Sequence, residues 1–251
     1  MSLFDSAATI ARRVLPLSAR RKLVRLTRWP PVGLVRFGNL RRVKPISSTF
    51  GLERGGAVDR YYIERFLSAN ATDVRGHVLE IGTDMYTRRY GGAAVTKIDV
   101  LHVAENREPV TIIGDLAQSD HIPSGSFDCI ILTQTLQYVF DLAPAVDTVL
   151  RILKPGGVVL VTLPGISRIS PYDMDRWGSF WSFTTASARR LFEHRFPSNC
   201  VEVEAYGNVL SAISFLHGIS AGELRKRELE HHDPDYQVII TVRAAKPVAT
   251  T

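Results

Sequence analysis

Short apolar runs that alternate with helically patterned segments most constrain what this chain can become. From residue 57 the runs fall at 77–81, 95–100, 110–113, 127–132 and 157–163. The stretch 57–70, AVDRYYIERFLSAN, reads as a helix with Tyr62, Phe66 and Leu67 on its buried side. Runs this poor in polar residues suit parallel strands, which hide both faces under helices. Their alternation implies βαβ units and an open, doubly wound α/β sheet. NCVEVEAY (199–206) and YQVIITVRA (236–244) add two later strands, separated by a helical stretch from about Val209 to Glu230. The 251 residues have room for one large α/β domain.

Charge divides the chain. Residues 1–44 hold eleven Lys or Arg and one acid, Asp5, a sum of +10, so a total of +6 leaves −4 for the rest. Leu3, Ala7, Ile10 and Val14 recur at helical spacing up to Pro16, and Ser18 is placed to cap a second helix running to Trp29. We therefore expect a basic amphipathic arm over 1–50, a main domain over 51–246 and a tail over 247–251. Such an arm has two readings: residues 1–30 contact an anionic membrane surface, or the arm packs on the acidic domain or on a second subunit of a homodimer. No zinc-finger spacing or RNA-binding aromatic signature accompanies the basic residues, so no nucleic-acid partner is expected. No apolar run approaches the ~18 residues that span a bilayer, and Asp5 with Arg12-Arg13 breaks up any signal-like core. Cys129 and Cys200 form no metal or redox spacing and fit a reducing compartment. The expected location is cytoplasmic, with peripheral contact at the inner face of the membrane under the first reading of the arm.

Doubly wound sheets bind ligands at the carboxyl ends of their strands, beside the point where strand order reverses. VLEIGTDMYTRRYGG (78–92) places Glu80, Gly82 and Thr83 there, but Asp84 and Thr87 stand where a dinucleotide loop would carry further glycines. VTKIDVL places Asp99 nineteen residues beyond Glu80, where a carboxylate would hold a ribose hydroxyl pair, with Val100 next to it. TIIGDLAQ presents Asp115 and Leu116 after the third run, and the fourth run ends at Thr133-Gln134.

In order, VLEIG, the second-strand acid, GD before a helix, SFDCIILTQTLQYV and LRILKPGG resemble the class I S-adenosylmethionine-dependent methyltransferases, particularly the small-molecule branch that methylates glycans and secondary metabolites. The resemblance covers about residues 57–165 and is specific as a set. It implies a seven-stranded, mostly parallel, Rossmann-like methyltransferase sheet and S-adenosyl-L-methionine as cofactor. It also implies that Gly82 lets the backbone approach the methionine part, that Asp99 holds the ribose, and that Asp115 and Leu116 contact adenine. The full cofactor set expected is Glu80, Gly82, Thr83, Asp99, Val100, Asp115, Leu116 and Thr133. Asp84 and Tyr86 depart from the family, which often has glycine there, so the loop must be rebuilt. Arg88 and Arg89 either supply charge for the cofactor carboxylate or form a solvated helix face.

The family places acceptor contacts after the fifth strand and in the helix before the first. SPYDMDRWGSFWSFTT (170–185) supplies Trp177, Phe180, Trp181 and Phe183 among Asp173, Asp175 and Arg176, a mixture that suits a glycan or aromatic small molecule. The expected acceptor contacts are Tyr62, Tyr138, Arg176, Trp177 and Trp181, with Phe183 and Trp181 also readable as core. Thr184 is expected to cap the helix that holds Leu191 and Phe192. A hydroxyl acceptor needs its proton removed, and the candidate bases are His217, His231, His232 and Asp173. Thr133 and Gln134 are poor metal ligands, so a metal is not expected. Three rivals stand beside this reading. An NAD-linked dehydrogenase lacks its G-x-G-x-x-G and any Tyr followed four residues later by Lys. A glycosyltransferase would use Asp173-Met174-Asp175. A non-catalytic scaffold of methyltransferase fold draws on the eroded glycine loop.

Overall fold

The computed structural model describes residues 34–104 and 108–248, together with residues 16, 18, 19 and 30. The arm helices expected before Trp29 therefore lie outside the described residues, Ser18 and Ala19 apart. The chain divides into two compact units, Met1–Lys44 and Pro45–Thr251. The boundary falls before residue 50 because the Ile46 and Ser47 amides both donate to the His217 carbonyl, at 2.8 and 3.1 Å.

The second unit contains a seven-stranded sheet: β1 Gly76–Ile81, β2 Val95–His102, β3 Ile112–Ile113, β4 Phe127–Thr133, β5 Leu153–Pro164, β6 Val201–Tyr206 and β7 Ile239–Ala245. Their order is β3-β2-β1-β4-β5-β7-β6. β1 to β5 pair in parallel, and β7 runs antiparallel to both β5 and β6. Sequential order therefore reverses between β1 and β4, which opens a crevice beyond their carboxyl ends.

Strand periodicity assigns the helices to faces. Leu79, Ile130, Leu132, Val159 and Val161 point to one side, where α3 (Leu142–Ile152) and α5 (Thr185–Glu193) bury Val146, Val149, Ala188 and Phe192. Their neighbours Val78, Cys129, Ile131, Val158 and Leu160 point to the other, against Ile63, Phe66 and Leu67 of α1 (Val58–Ala69) and Tyr86 of α2 (Met85–Gly91). Each aliphatic side chain removed from water in this way contributes about 1.5–3 kcal/mol, which gives both faces a reason to be covered. Tyr62 of α1 joins a third cluster with Ala212 and Phe215 of α6 (Val209–His217) and Leu229 of α7 (Lys226–Glu230). The single helical stretch expected over 209–230 is thus two helices. Gly218 ends the first at φ 67°, and a Cβ there would meet the Ser47 carbonyl at 2.6 Å. The Lys-Pro-Gly-Gly turn lies inside β5, as a bulge in which pairing jumps from Phe127–Leu153 to Cys129–Val158. α4 (Pro171–Trp177) follows β5 and is capped by the Ser170 hydroxyl. No helix among the described residues is long and apolar enough to cross a membrane.

Candidate active site

Gly82 follows β1 at φ 77°, a left-handed conformation that L side chains rarely adopt. The space its Cβ would enter is open for 4 Å. Gly82 also lines a cavity of about 660 Å³ at the carboxyl ends of the parallel strands. Ile81 ends β1 and Gly82 follows it, β2 contributes Leu101 and His102, the loop after β3 contributes Asp115 and Leu116, and Thr133 ends β4 with Gln134 after it. Arg176 and Trp177 of α4 line the far wall, where the Trp177 ring meets the His102 ring edge-on at 5.4 Å. Apolar Leu101 and Leu116 beside Asp115 suit a flat base with one polar edge. The open approach at Gly82 suits a ligand lying close to the main chain.

Physical chemistry explains how the loop dispenses with its usual glycines. Glu80 is fully buried, and its carboxylate accepts the Tyr86 amide (3.2 Å), the Thr87 amide (2.7 Å) and the Thr87 hydroxyl (2.7 Å). A side chain therefore holds the first turn of α2, where a glycine-rich backbone would otherwise bend. Burial pushes the Glu80 carboxyl up, and the hydrogen bonds from Thr87 and Tyr86 offset part of that shift. Glu80 is accordingly a support behind the cavity wall, and Thr83 likewise turns its hydroxyl to the Met85 amide, at 3.2 Å.

Asp99 is placed differently from expectation. It pairs with Leu79 two residues before the end of β1, so its side chain stops short of the crevice. Its carboxylate accepts His77 Nε2 at 2.6 Å, Lys97 Nζ at 2.9 Å and the Thr111 hydroxyl at 2.9 Å. Burial alone would raise this carboxyl, but hydrogen bonds from Lys97, His77 and Thr111 outweigh it and hold it below the usual carboxylate range. Val100 is buried, its amide donating to Thr111. The β2 residues that reach the cavity are Leu101 and His102. Of the eight expected cofactor residues, Gly82, Asp115, Leu116 and Thr133 line it; Glu80, Thr83, Asp99 and Val100 stand outside. Arg88 pairs with Asp84 at 2.5 Å and Arg89 with Glu64 at 2.7 Å, both on the exposed face of α2 and away from the cavity.

A second cavity, of about 610 Å³, adjoins the first and shares Gln134, Tyr138 and Asp173 with it. The Tyr138 hydroxyl donates to Asp173 at 3.2 Å across this common wall. Burial, reinforced by the neighbouring Asp173 charge, pushes the phenol up to about 12. The remaining wall comes from the start of α1 (Asp59 and Arg60), from the segment before it (Ser48 to Leu52) and from the loop after β5, including Arg168. Arg168 lies over the Phe50 ring at 4.2 Å and donates to the Ser48 carbonyl. Phe50 (φ 62°) and Gln134 (φ 48°) are the two non-glycine residues with positive φ among those described, and both line this cavity. Strain of this kind costs about 1–3 kcal/mol per residue and concentrates at binding sites.

The structure brings together Tyr138, Arg176, Trp177, Trp181 and Asp173, each on the wall of one or both cavities. Trp181 is 39% exposed and donates to the Val139 carbonyl at 3.0 Å, whereas Phe183 is core. Phe140 and Phe180 stack edge to face at 5.3 Å beside Trp181 and complete an exposed aromatic rim. Tyr62 is instead fully buried, with its hydroxyl on the Leu229 carbonyl at 2.9 Å, so it supports α1 from behind. His231 and His232 line a separate groove beside β6 with Arg65 and Arg189. His217 lines neither cavity, and its Nδ1 is buried without a partner among the described residues. Sequence reasoning missed Asp59, Arg60, Phe50, Phe140 and Arg168, which adjoin the site only through tertiary packing. A carboxylate in the first turn of the helix before β1 was the one available signal.

A sheet of this order, with a ligand cavity at the β1/β4 reversal and a second cavity beside it, is the architecture of class I S-adenosylmethionine-dependent methyltransferases. A methyltransferase-domain family profile matches residues 57–199, more than half of the chain, and the chain belongs to that family. It is 29% identical over 99 residues to a Mycolicibacterium smegmatis protein named as a "probable S-adenosylmethionine-dependent methyltransferase", a match covering 39% of this chain and 34% of that one. The match thus spans about a third of that relative's length. Among solved structures, a SAM-dependent methyltransferase from Archaeoglobus fulgidus superposes with TM-score 0.51 at 11% identity, over 79% of this chain and 98% of that one. The [4+2]-cyclase SpnF superposes with TM-score 0.50 at 16% identity, over 75% and 82%. Both show the fold. S-adenosylmethionine is the cofactor of the class, and the open approach at Gly82 fits it.

Proposed function

We propose that the chain methylates a hydroxyl of a sugar-containing or secondary-metabolite acceptor without a metal. The observation that carries this reading is the pair of adjoining cavities whose common wall is Gln134, Tyr138 and Asp173. S-adenosylmethionine, when bound, supplies an electrophilic methyl group on a sulfonium. In this reading the first cavity holds the cofactor through Gly82, Leu101, Asp115 and Leu116, and the second orients the acceptor. Hydroxyls, amides and two carboxylates beside the rim of Phe140, Phe180 and Trp181 support a polyhydroxylated acceptor with one flat face. Positioning of the two reactants supplies much of the rate, because the transfer is an in-line displacement. Thr133 and Gln134 at the end of β4 favour a metal-free site.

The test is calorimetric titration with S-adenosylhomocysteine, followed by methyl transfer from labelled cofactor to p-nitrophenyl glycosides of glucose, mannose and rhamnose. Micromolar binding and EDTA-insensitive labelling of a sugar hydroxyl are the expected results. Absence of binding would favour the scaffold reading; labelling that EDTA abolishes and magnesium restores would end the metal-free one. The same proposal assigns residues 1–30 to an anionic membrane surface, on the strength of their charge and apolar spacing.

A further inference from the structure

We propose that Asp59 is the general base that takes the proton from the acceptor hydroxyl; the inference rests on the methyl-transfer reading above and names the group that completes it. Asp59 is the second residue of α1, and its side chain lines the second cavity together with Gln134, Tyr138 and Asp173, the residues shared with the first. A group there faces whatever occupies the acceptor space next to the cofactor.

Its bonding leaves it free to act. Oδ1 accepts the Arg60 amide at 2.8 Å, and among the described residues Oδ2 accepts no hydrogen bond. The adjacent guanidinium is committed elsewhere, because Arg60 Nη1 donates to the Tyr86 hydroxyl at 2.7 Å. Asp173, the other carboxylate on this wall, already accepts the Tyr138 hydroxyl. The histidines singled out from the sequence line neither cavity. The strained residues Phe50 and Gln134 hold the walls around the same space.

Titration behaviour agrees with the geometry. Burial pushes the Asp59 carboxyl above its usual range, and the Arg60 charge and the backbone amides of the first helical turn offset only part of that. The other titratable or charged groups facing the cavity are Tyr138, Tyr172, Asp173 and Arg168. A raised carboxyl is a stronger base than a solvated one.

The step balances. As the acceptor oxygen bonds to the methyl carbon, the carbon–sulfur bond breaks with its electron pair going to sulfur. The hydroxyl proton passes to Asp59, and S-adenosylhomocysteine and the methyl ether leave. Asp59 then returns the proton to water.

The test compares wild type, Asp59→Asn and Asp59→Glu in the titration and glycoside assay above, and adds melting temperatures from pH 4 to 8. We expect Asp59→Asn to bind S-adenosylhomocysteine with the wild-type Kd and to slow transfer by ~10²- to 10⁴-fold. Asp59→Glu should recover part of the rate together with the acid limb of the kcat–pH profile. The raised native pKa means that ionising Asp59 costs stability at neutral pH. Asp59→Asn should therefore melt higher than wild type at pH 8, and the difference should shrink toward zero as pH falls to 4. A rate within tenfold of wild type in Asp59→Asn, or a lower melting temperature at pH 8, overturns the assignment alone. Wild-type transfer to none of the glycosides overturns the O-methyl reading and this assignment with it.

Discussion

Of the three acids that the sequence placed at the cofactor, Asp115 lines the cavity, whereas Asp99 and Glu80 are bonded inward by their neighbours. A strand sends alternate side chains to opposite faces, so a carboxylate near a strand end can point into the crevice or beneath a helix. Which of these happens depends on register and on partners such as His77 and Thr111, which come from other strands and loops. Asp99→Ala should therefore lower stability by about 2 kcal/mol in urea denaturation at neutral pH, since three donors lose their acceptor. The S-adenosylhomocysteine Kd should not change. The depressed native pKa fixes the pH dependence: the Asp99 contribution is complete above the ordinary carboxylate range and is lost as pH falls through the native value. The stability gap between wild type and Asp99→Ala should thus close in acid. A large loss of cofactor affinity with unchanged stability would return Asp99 to the ribose.

At the scale of elements, the strand–turn–helix from β1 to α2 shows how a loop poor in glycine keeps its shape. Glu80 holds the Tyr86 and Thr87 amides in the first turn of α2, and only Gly82 needs the left-handed conformation. Gly82→Val adds a side chain at φ 77°, a strain of about 1–2 kcal/mol, on a residue that lines the first cavity. Affinity for S-adenosylhomocysteine should fall at least ~10-fold, the equivalent of about 1.4 kcal/mol, while the protein stays folded. Wild-type affinity in that variant would mean that the cofactor lies elsewhere. α5 follows its sequence signal closely: Thr184 accepts the Ser187 amide and Ser187 answers on the Thr184 amide. Thr184→Ala should cost about 1 kcal/mol in the same denaturation assay.

For the whole molecule, every residue assigned to either cavity lies in the unit Pro45–Thr251. Deleting residues 1–30 should therefore leave S-adenosylhomocysteine affinity unchanged while abolishing sedimentation with phosphatidylserine vesicles. Loss of cofactor binding by a folded truncation would place the arm in the site. The sequence by itself determined the strand–helix alternation, the five parallel strands, the Thr184 cap and the Gly82 turn. These depend on local period, apolar run length and backbone preference, all of which act over a few residues. It also carried the cofactor class, because the strand-end motifs occur in a fixed order along the chain. Tertiary structure alone decided that Asp99 turns inward, that His231 and His232 belong to a groove beside β6, and that Tyr62, on the buried side as its periodicity indicated, lines neither cavity. It alone placed Asp59 on the wall of the same cavity as Tyr138 and Asp173. The physical reason is that a side chain's surroundings are set by segments far apart in sequence, whose approach follows from sheet order and helix packing, and no local pattern encodes them.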